Sequence, residues 1–434
     1  MDHLMAKTRL IATIVGALVA ALTLASNVTL AGPSASADDT ARFLAGIQPS
    51  AGSPIAAYTN DAFWKQHARS FDDSWNGLER RQLSKIRSFV SKNFTTPQPV
   101  LFYFFSGPDF LYADAFFPSA DTYIMAGLEP PGPVPDLGKF SRGELPGALR
   151  ELRASLNSVM SYSFFQTKFM RIDFSHGRMT GTLPVLMTFL ARSGKTIYDV
   201  SLFDLQSDGT IHPAEEKIPN ATAKGAKIVF SDNVGKKRTL YYFSTDLSDG
   251  GINTSGFMQF CDTFGHADSF IKSASYLMHS DKFSTVRDYL LKHSDSILED
   301  DSGIPVRHFA QGWRLHPYGR YVGPIALFAG QRQSQLSEVF GKGRAVPIDF
   351  GIGYRWRPME SNLLLAVKDS TVTAMEIPPA NPAADVSERK TRADTRGNIK
   401  EAKADPPRRR VRSYQRHREQ TSVYNPYKMF GYTP

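Results

Sequence analysis

The chain of 434 residues has a single cysteine, Cys261. That excludes an intrachain disulfide framework and any multi-cysteine zinc or iron–sulfur site. It also excludes a lipid-anchored lipoprotein, because no cysteine lies near the N-terminus to carry the lipid. Signatures of nucleophilic and metal catalysis are missing as well. No G-x-S-x-G and no H-E-x-x-H occurs, and neither Gly341-x-Gly343 nor Gly351-x-Gly353 has the third glycine of a dinucleotide turn. Beyond the N-terminus no apolar run reaches 18 residues, so no transmembrane body is expected. Glycine (32) and proline (27) are near ordinary usage, which excludes a collagen-like or low-complexity chain.

What is present is enough apolar residues, 41%, for a buried core, and a formal net charge of +9. The charge is unevenly placed. Residues 381–434 carry 13 Lys+Arg against 6 Asp+Glu, a net +7, and residues 1–37 carry a net +1. Taking both from +9 leaves +1 for residues 38–380, so the expected body is nearly neutral. A specific nucleic-acid groove in the body is not supported. The basic stretch predicts salt-sensitive, unspecific attraction to an anionic surface or polymer.

Residues 1–37 have the pattern of an export signal. Lys7 and Arg9 precede the uncharged run Leu10 to Ala25, and Ala35-Ser36-Ala37 has small-x-small spacing before Asp38-Asp39. The run has 16 residues, against about 20 for a membrane span, so cleavage and a periplasmic destination are expected. The alternative is an uncleaved anchor in the inner membrane. At the other end, Asn381 to Arg418 lacks large apolar residues and predicts disorder, although Tyr424 to Tyr432 is aromatic enough to dock.

Four parts are expected: the signal 1–37, an N-terminal helical segment 38–95, a body 96–380, and the tail 381–434. Leu83, Ile86, Phe89 and Val90 have helical spacing. Val100 to Phe105 is continuously apolar, as a strand buried on both faces would be. Thr122 to Ala126 is a second strand candidate. Ser141 and Glu144 have capping-box spacing ahead of a stripe of Leu145, Leu149, Leu152, Leu156 and Val159. Further expectations are a helix at 183–192, a strand at 196–205, and a hairpin of 226–231 with 238–244. Helices follow at 267–279 and 283–298, then strand-like Ile348 to Trp356 and Leu363 to Val367. Alternating strands and helices predict an α/β (or α+β) fold, and the hairpin predicts a mixed β-sheet covered by helices.

Several resemblances to catalytic motifs fail on order or context. Arg192 to Thr196 lacks the upstream glycine of a phosphate loop, and a helix ending at Gly194 accounts for it. Ser269-Phe270-Ile271-Lys272 and Ser231-Asp232-Asn233 occur in the reverse order of a penicillin-recognising enzyme, without K-T-G. An exposed helix face is the expected setting for Lys272. Cys261 near His266 is expected to be a buried structural thiol. The histidines between 266 and 316 show no i, i+4 metal pair, so no metal site is expected of them, and no pattern names a cofactor.

Two candidate sites remain. Asp109 and Asp114 follow the first strand and Glu129 follows the second, where α/β sheets bind ligands. They could form an acid/base pair or a hard-cation site, against the competing reading of a capped turn. The second group is Asp300, Asp301, Arg307, His308 and Trp313, a mixture suited to a polar ligand, against that of a helix end with solvated charges. The acidic run lacks the alternate-ligand spacing of a calcium hand. The leading expectation is an exported bacterial envelope protein with a binding or structural role. The alternative is an exported carboxylate- or metal-dependent hydrolase.

Overall fold

The computed structural model describes residues 35–94, 96–163, 179–342 and 345–369. Most of the expected signal, and the whole tail from 381, lie outside the described residues. Helices α1 (Ala37–Leu44), α2 (Ala62–Leu78) and α3 (Ser84–Asn93) come first, the last two joined by a π-helical turn, Glu79–Leu83. Ser36 caps α1 by accepting from the Asp39 amide, so cleavage after Ala37 would remove that cap. Leu83, Ile86, Phe89 and Val90 form the buried face expected of them.

Strand β1 (Val100–Tyr103) is buried throughout because its alternate residues enter two different cores. Leu101 and Tyr103 face one, Val100 and Phe102 the other. Then come α4 (Phe110–Phe116), β2 (Thr122–Gly127), α5 (Leu145–Tyr162) and α6 (Leu183–Arg192). The Glu144 carboxylate takes both the Ser141 amide and its hydroxyl just ahead of α5, one half of the expected capping box; the reciprocal bond runs from the Glu144 amide to the Ser141 carbonyl, and Glu144 itself stands at the N-cap. Next are β3 (Thr196–Leu205), β4 (Ile211–Pro213), β5 (Ala223–Ser231) and β6 (Lys237–Ser244). Helices α7 (Asp249–Ser255) and α8 (Phe257–Asp262) lead to β7 (Ala267–Ile271). The remainder comprises α9 (Ser284–His293), β8 (Ser294–Glu299), β9 (Trp313–Gly319), α10 (Ser334–Lys342) and β10 (Asn362–Lys368).

These strands form one mixed 10-stranded sheet in the order β4-β3-β5-β6-β2-β1-β7-β8-β10-β9. The centre, β6-β2-β1-β7-β8, is parallel, and both wings are antiparallel. Helices α1 to α6 cover one face and α7 to α9 the other. The fold is therefore mixed α/β. Among the described residues, no helix is long and apolar enough to cross a membrane.

Three expected elements differ. Residues 267–279 are not a helix but β7, a loop and a short 3-10 turn at Leu277–His279. Phe270 and Ile271, adjacent on the supposed helix face, point into opposite cores. The helix expected over 283–298 stops at His293, and its last residues are β8, where Ile297 and Leu298 again feed opposite cores. Residues 348–356 are an irregular segment with one bridge, Ile352 to Arg355, rather than a strand. Its role is to cover the ends of the parallel strands.

Candidate functional site

The parallel strands are laid down outward from β1 through β2 to β6, and the chain then returns to the other side of β1 for β7 and β8. The order reverses between β1 and β7. In open α/β sheets, the crevice beyond the carboxyl ends of the strands at such a reversal is where ligands bind. Here that position holds a dense set of polar side chains.

After β1, the Ser106-Gly107-Pro108 break delivers Asp109, which caps α4 by accepting from the Tyr112 amide. Its Oδ2 accepts from the Tyr103 hydroxyl at 2.8 Å and meets Lys272 Nζ at 2.8 Å. Lys272 is the first residue after β7. Its ammonium also donates to the Ser163 carbonyl and lies 4.5 Å from the centre of the Tyr112 ring. Asp109 is 1% exposed and Lys272 is 3% exposed, so the pair is out of water. Burial pushes the Asp109 carboxyl up, and the Lys272 charge opposes that.

After β8 comes Asp300. It accepts from the amides of Ser273 (2.9 Å) and Ser302 (3.0 Å) and from the Ser302 hydroxyl. Its pKa is raised to about 6, first by burial and then by the neighbouring Asp301 charge. The Asp301 carboxylate is held by the Tyr276 hydroxyl at 2.7 Å and by Asn362. A carboxyl that titrates near neutrality can act as general acid or base.

The backbone around these groups is strained. Among the described residues, six non-glycines have positive φ, and four of them lie here: Ser163 (65°), Ser273 (53°), Ser275 (55°) and Tyr276 (56°). Each such residue costs on the order of 1–3 kcal/mol and persists only where its surroundings fix it. The π-helical turn points the same way, since such turns recur at functional sites. It places Gln82 so that it accepts from the Tyr112 hydroxyl and donates to the Gly351 carbonyl. The 350–354 segment closes the cluster. The Tyr354 hydroxyl donates to the Ser273 carbonyl, and Ser163 Oγ donates to the Gly353 carbonyl. A Cβ on Gly353 would fall 2.0 Å from an Asp300 oxygen.

The candidates read from sequence divide unevenly over this geometry. Asp109, Asp300 and Asp301 come to the strand ends. Asp114, on α4, meets Lys195 at 2.7 Å. Glu129 is buried at the end of β2, where its carbonyl accepts from the Tyr242 hydroxyl. Arg307 is exposed, and His308 is half-buried in the turn Val306–His308. Trp313 opens β9, with Lys368 Nζ 5.3 Å from the centre of its ring. Asp109 and Asp114 therefore do not form an acid/base pair, and among the described residues no three His, Cys, Asp or Glu converge to hold a metal.

Lys272 is not on an exposed helix face. It is buried, and Ser269, three residues back on a strand, points to the opposite side and bonds Ser294. Lysine therefore cannot serve as that serine's base. Cys261 is buried, as expected. The sequence reading missed Tyr103, Gln82 and the 273–276 loop. The usable signal was the short segment Ala267 to Ile271, ending on Phe270 and Ile271 and running directly into a lysine.

An open groove of about 770 Å³ runs between α2 and α5, with Arg81, Arg150 and Arg153 on its walls. It has neither the strained backbone nor the buried charges found at the strand ends. Comparison with models of protein families, with curated proteins and with solved structures finds no match.

Proposed function

We propose that this is an exported bacterial envelope protein whose body binds a small polar ligand at the carboxyl ends of β1, β7 and β8. The supporting observation is convergence. Four left-handed non-glycine residues, a π-helical turn and the Asp109–Lys272 and Asp300 groups meet at the reversal of strand order. A chain selected only for stability would not concentrate strain and buried charge at one place. Lys272 and Asp109 would exchange part of their mutual contact for the ligand, and Asp300 would hold or release a proton beside it. The export signal supports a periplasmic location, and the basic 381–434 stretch would hold the protein near an anionic surface.

The test is a thermal-shift screen with nucleosides, nucleotides and monosaccharides. At least one class should raise Tm by a few degrees in the wild type, as ligand at about 100 Kd does, and not in Asp300→Asn. No shift with any class would defeat the reading. Mass measurement of the mature N-terminus in a periplasmic fraction tests export, and retained salt-sensitive binding to anionic vesicles after deletion of 381–434 would remove the tail's role.

The raised Asp300 pKa favours a second reading, an exported hydrolase using Asp300 rather than Asp114 as its acid/base. A pH–rate profile with an inflection near 6 that vanishes in Asp300→Asn would support it.

A further inference from the structure

A second set of groups lies on the outer side of the 273–281 segment and does not rest on the ligand reading above. His279 ends the 3-10 turn after β7, His308 ends the turn after β8, and Arg287 lies in the first turns of α9. Arg287 is 6% exposed, and its Nη1 donates to the Met278 carbonyl at 3.0 Å, which fixes it beside His279. The charges of Arg287 and Arg307 act on both imidazoles, and the two imidazoles are close enough to affect each other, so three chain segments bring nitrogen atoms toward one partly buried region. His279 Nε2, His308 Nε2 and Arg287 Nε are each buried and make no hydrogen bond.

Leaving one buried donor or acceptor unsatisfied costs about 1–3 kcal/mol, and more for a charged group. Three together, all on potentially cationic groups, need a common explanation. Both imidazoles are depressed to about 4, chiefly by burial and then by the positive charges of Arg307 and Arg287, with His308 adding to this at His279 and a hydrogen bond between the His279 ring and the Gln331 side chain opposing it. The nearby acids do not fill the gap. Asp281 is exposed, and its charge is the last of the causes acting on His308, after burial and the two arginines. Asp288 is 3.4 Å from Arg287 Nε, but its side chain is 70% exposed.

We propose that Arg287, His279, His308 and Arg307 form a binding site for an oxyanion of the sulfate or phosphate type. Two guanidiniums and two imidazoles match its several acceptor oxygens with charge-assisted hydrogen bonds. The anion would favour the charged imidazoles, so binding takes up protons and tightens as the pH falls. The Tyr276 ring meets the His279 ring edge-on at 5.1 Å while its hydroxyl holds Asp301, so the two regions share one rigid wall.

The experiment is an NMR titration of the histidine rings with sulfate at constant ionic strength. His279 and His308 should shift saturably, and both pKa values should move up toward the ordinary 6.5. Arg307 is exposed, so Arg307→Gln should fold normally and weaken binding about tenfold or more, the value of one charge-assisted contact. Arg287→Gln should abolish it. Inorganic phosphate and glycerol phosphate form further arms. Equal or tighter binding of glycerol phosphate assigns the site to a phosphate group on a larger molecule, and binding of the inorganic ions alone assigns it to a free anion. Silent rings, unchanged histidine pKa values, or equal binding by Arg307→Gln would overturn the proposal.

Discussion

Helix α4 presents two carboxylates, five residues apart in sequence, to two different lysines. Asp109 meets Lys272 at 2.8 Å with both side chains almost fully buried, at 1% and 2% exposure. Asp114 meets Lys195 at 2.7 Å with 15% and 8% exposure. The separations are nearly the same, but the surroundings differ. Both lysine contacts are ion pairs, but Asp109 also accepts from the Tyr103 hydroxyl and the Tyr112 amide, whereas Asp114 Oδ1 accepts no hydrogen bond beside its ion pair. Asp114 is instead surrounded by more distant positive charge, from Arg238 and Arg87. The first pair is organised atom by atom at the strand ends. The second ties α4 to the segment between α6 and β3, and its role is structural.

The largest expected effect breaks this comparison directly. Lys272→Ala leaves a fully buried carboxylate beside tyrosines and should cost about 3–5 kcal/mol. Lys195→Ala should cost less, about 1–3 kcal/mol, because water can reach Asp114 and other cations remain. Urea denaturation of the two variants checks this, and equal losses would mean that the pairs are equivalent. Next in size is Gly353→Ala. The added Cβ would collide with Asp300, and φ at this residue is +68°, so a loss of about 3 kcal/mol is expected. The same change at Gly235, also left-handed but with open space around it, should cost only about 1 kcal/mol.

Much of the fold on the β1 side was legible because its signals are local. Val100 to Phe105 reads as a strand buried on both faces, and the Ser141–Glu144 box and the stripe behind it name α5. The β7 side was not legible for a physical reason. Phe270, Ile271, Ala274, Leu277 and Met278 satisfy helical spacing, yet the same residues satisfy a short strand followed by a turn, and only pairing with β1 and β8 decides between them. The site shows the same divide. Asp109 could be found because Gly-Pro and a capping position mark it. Its partner Lys272 lies far along the chain on an element read as a helix, and left-handed serines and a left-handed tyrosine have no sequence signature.

The Asp300 titration sharpens the comparison through pH. Its folded pKa, about 6, is above the ordinary 3.8. A carboxyl raised on folding contributes stability that is fully present below the unfolded value and is lost as the pH rises through the folded one. Relative to Asp300→Asn, the wild type should therefore lose on the order of 2 kcal/mol between about pH 4 and 7. Asp114 is raised as well, so the difference between wild type and variant, rather than the wild-type curve, is the quantity to measure. A difference that is flat across this range would place the Asp300 proton elsewhere.

The smallest effect concerns what holds the strained loop in place. Tyr354 donates to the Ser273 carbonyl at 2.9 Å and pairs with the Ser275 hydroxyl at 2.8 Å, so it grips two of the left-handed residues from outside. Tyr354→Phe keeps the ring, which lies against Tyr276 and Phe328, and removes only the hydroxyl. The net loss for a partly buried hydrogen bond is about 1 kcal/mol. If the loop is strained, that small change in global stability should be accompanied by a larger local one. Amide hydrogen exchange at Ser273 to Tyr276 should quicken well beyond what the global change accounts for, because local opening releases the strain while the rest of the sheet stays closed. Exchange at Thr239 to Tyr242, on the β2–β6 side of the sheet, should follow global stability alone. Parallel changes in both segments would show that the 273–276 backbone is as settled as β6, and that its left-handed conformation stores nothing for a ligand to use.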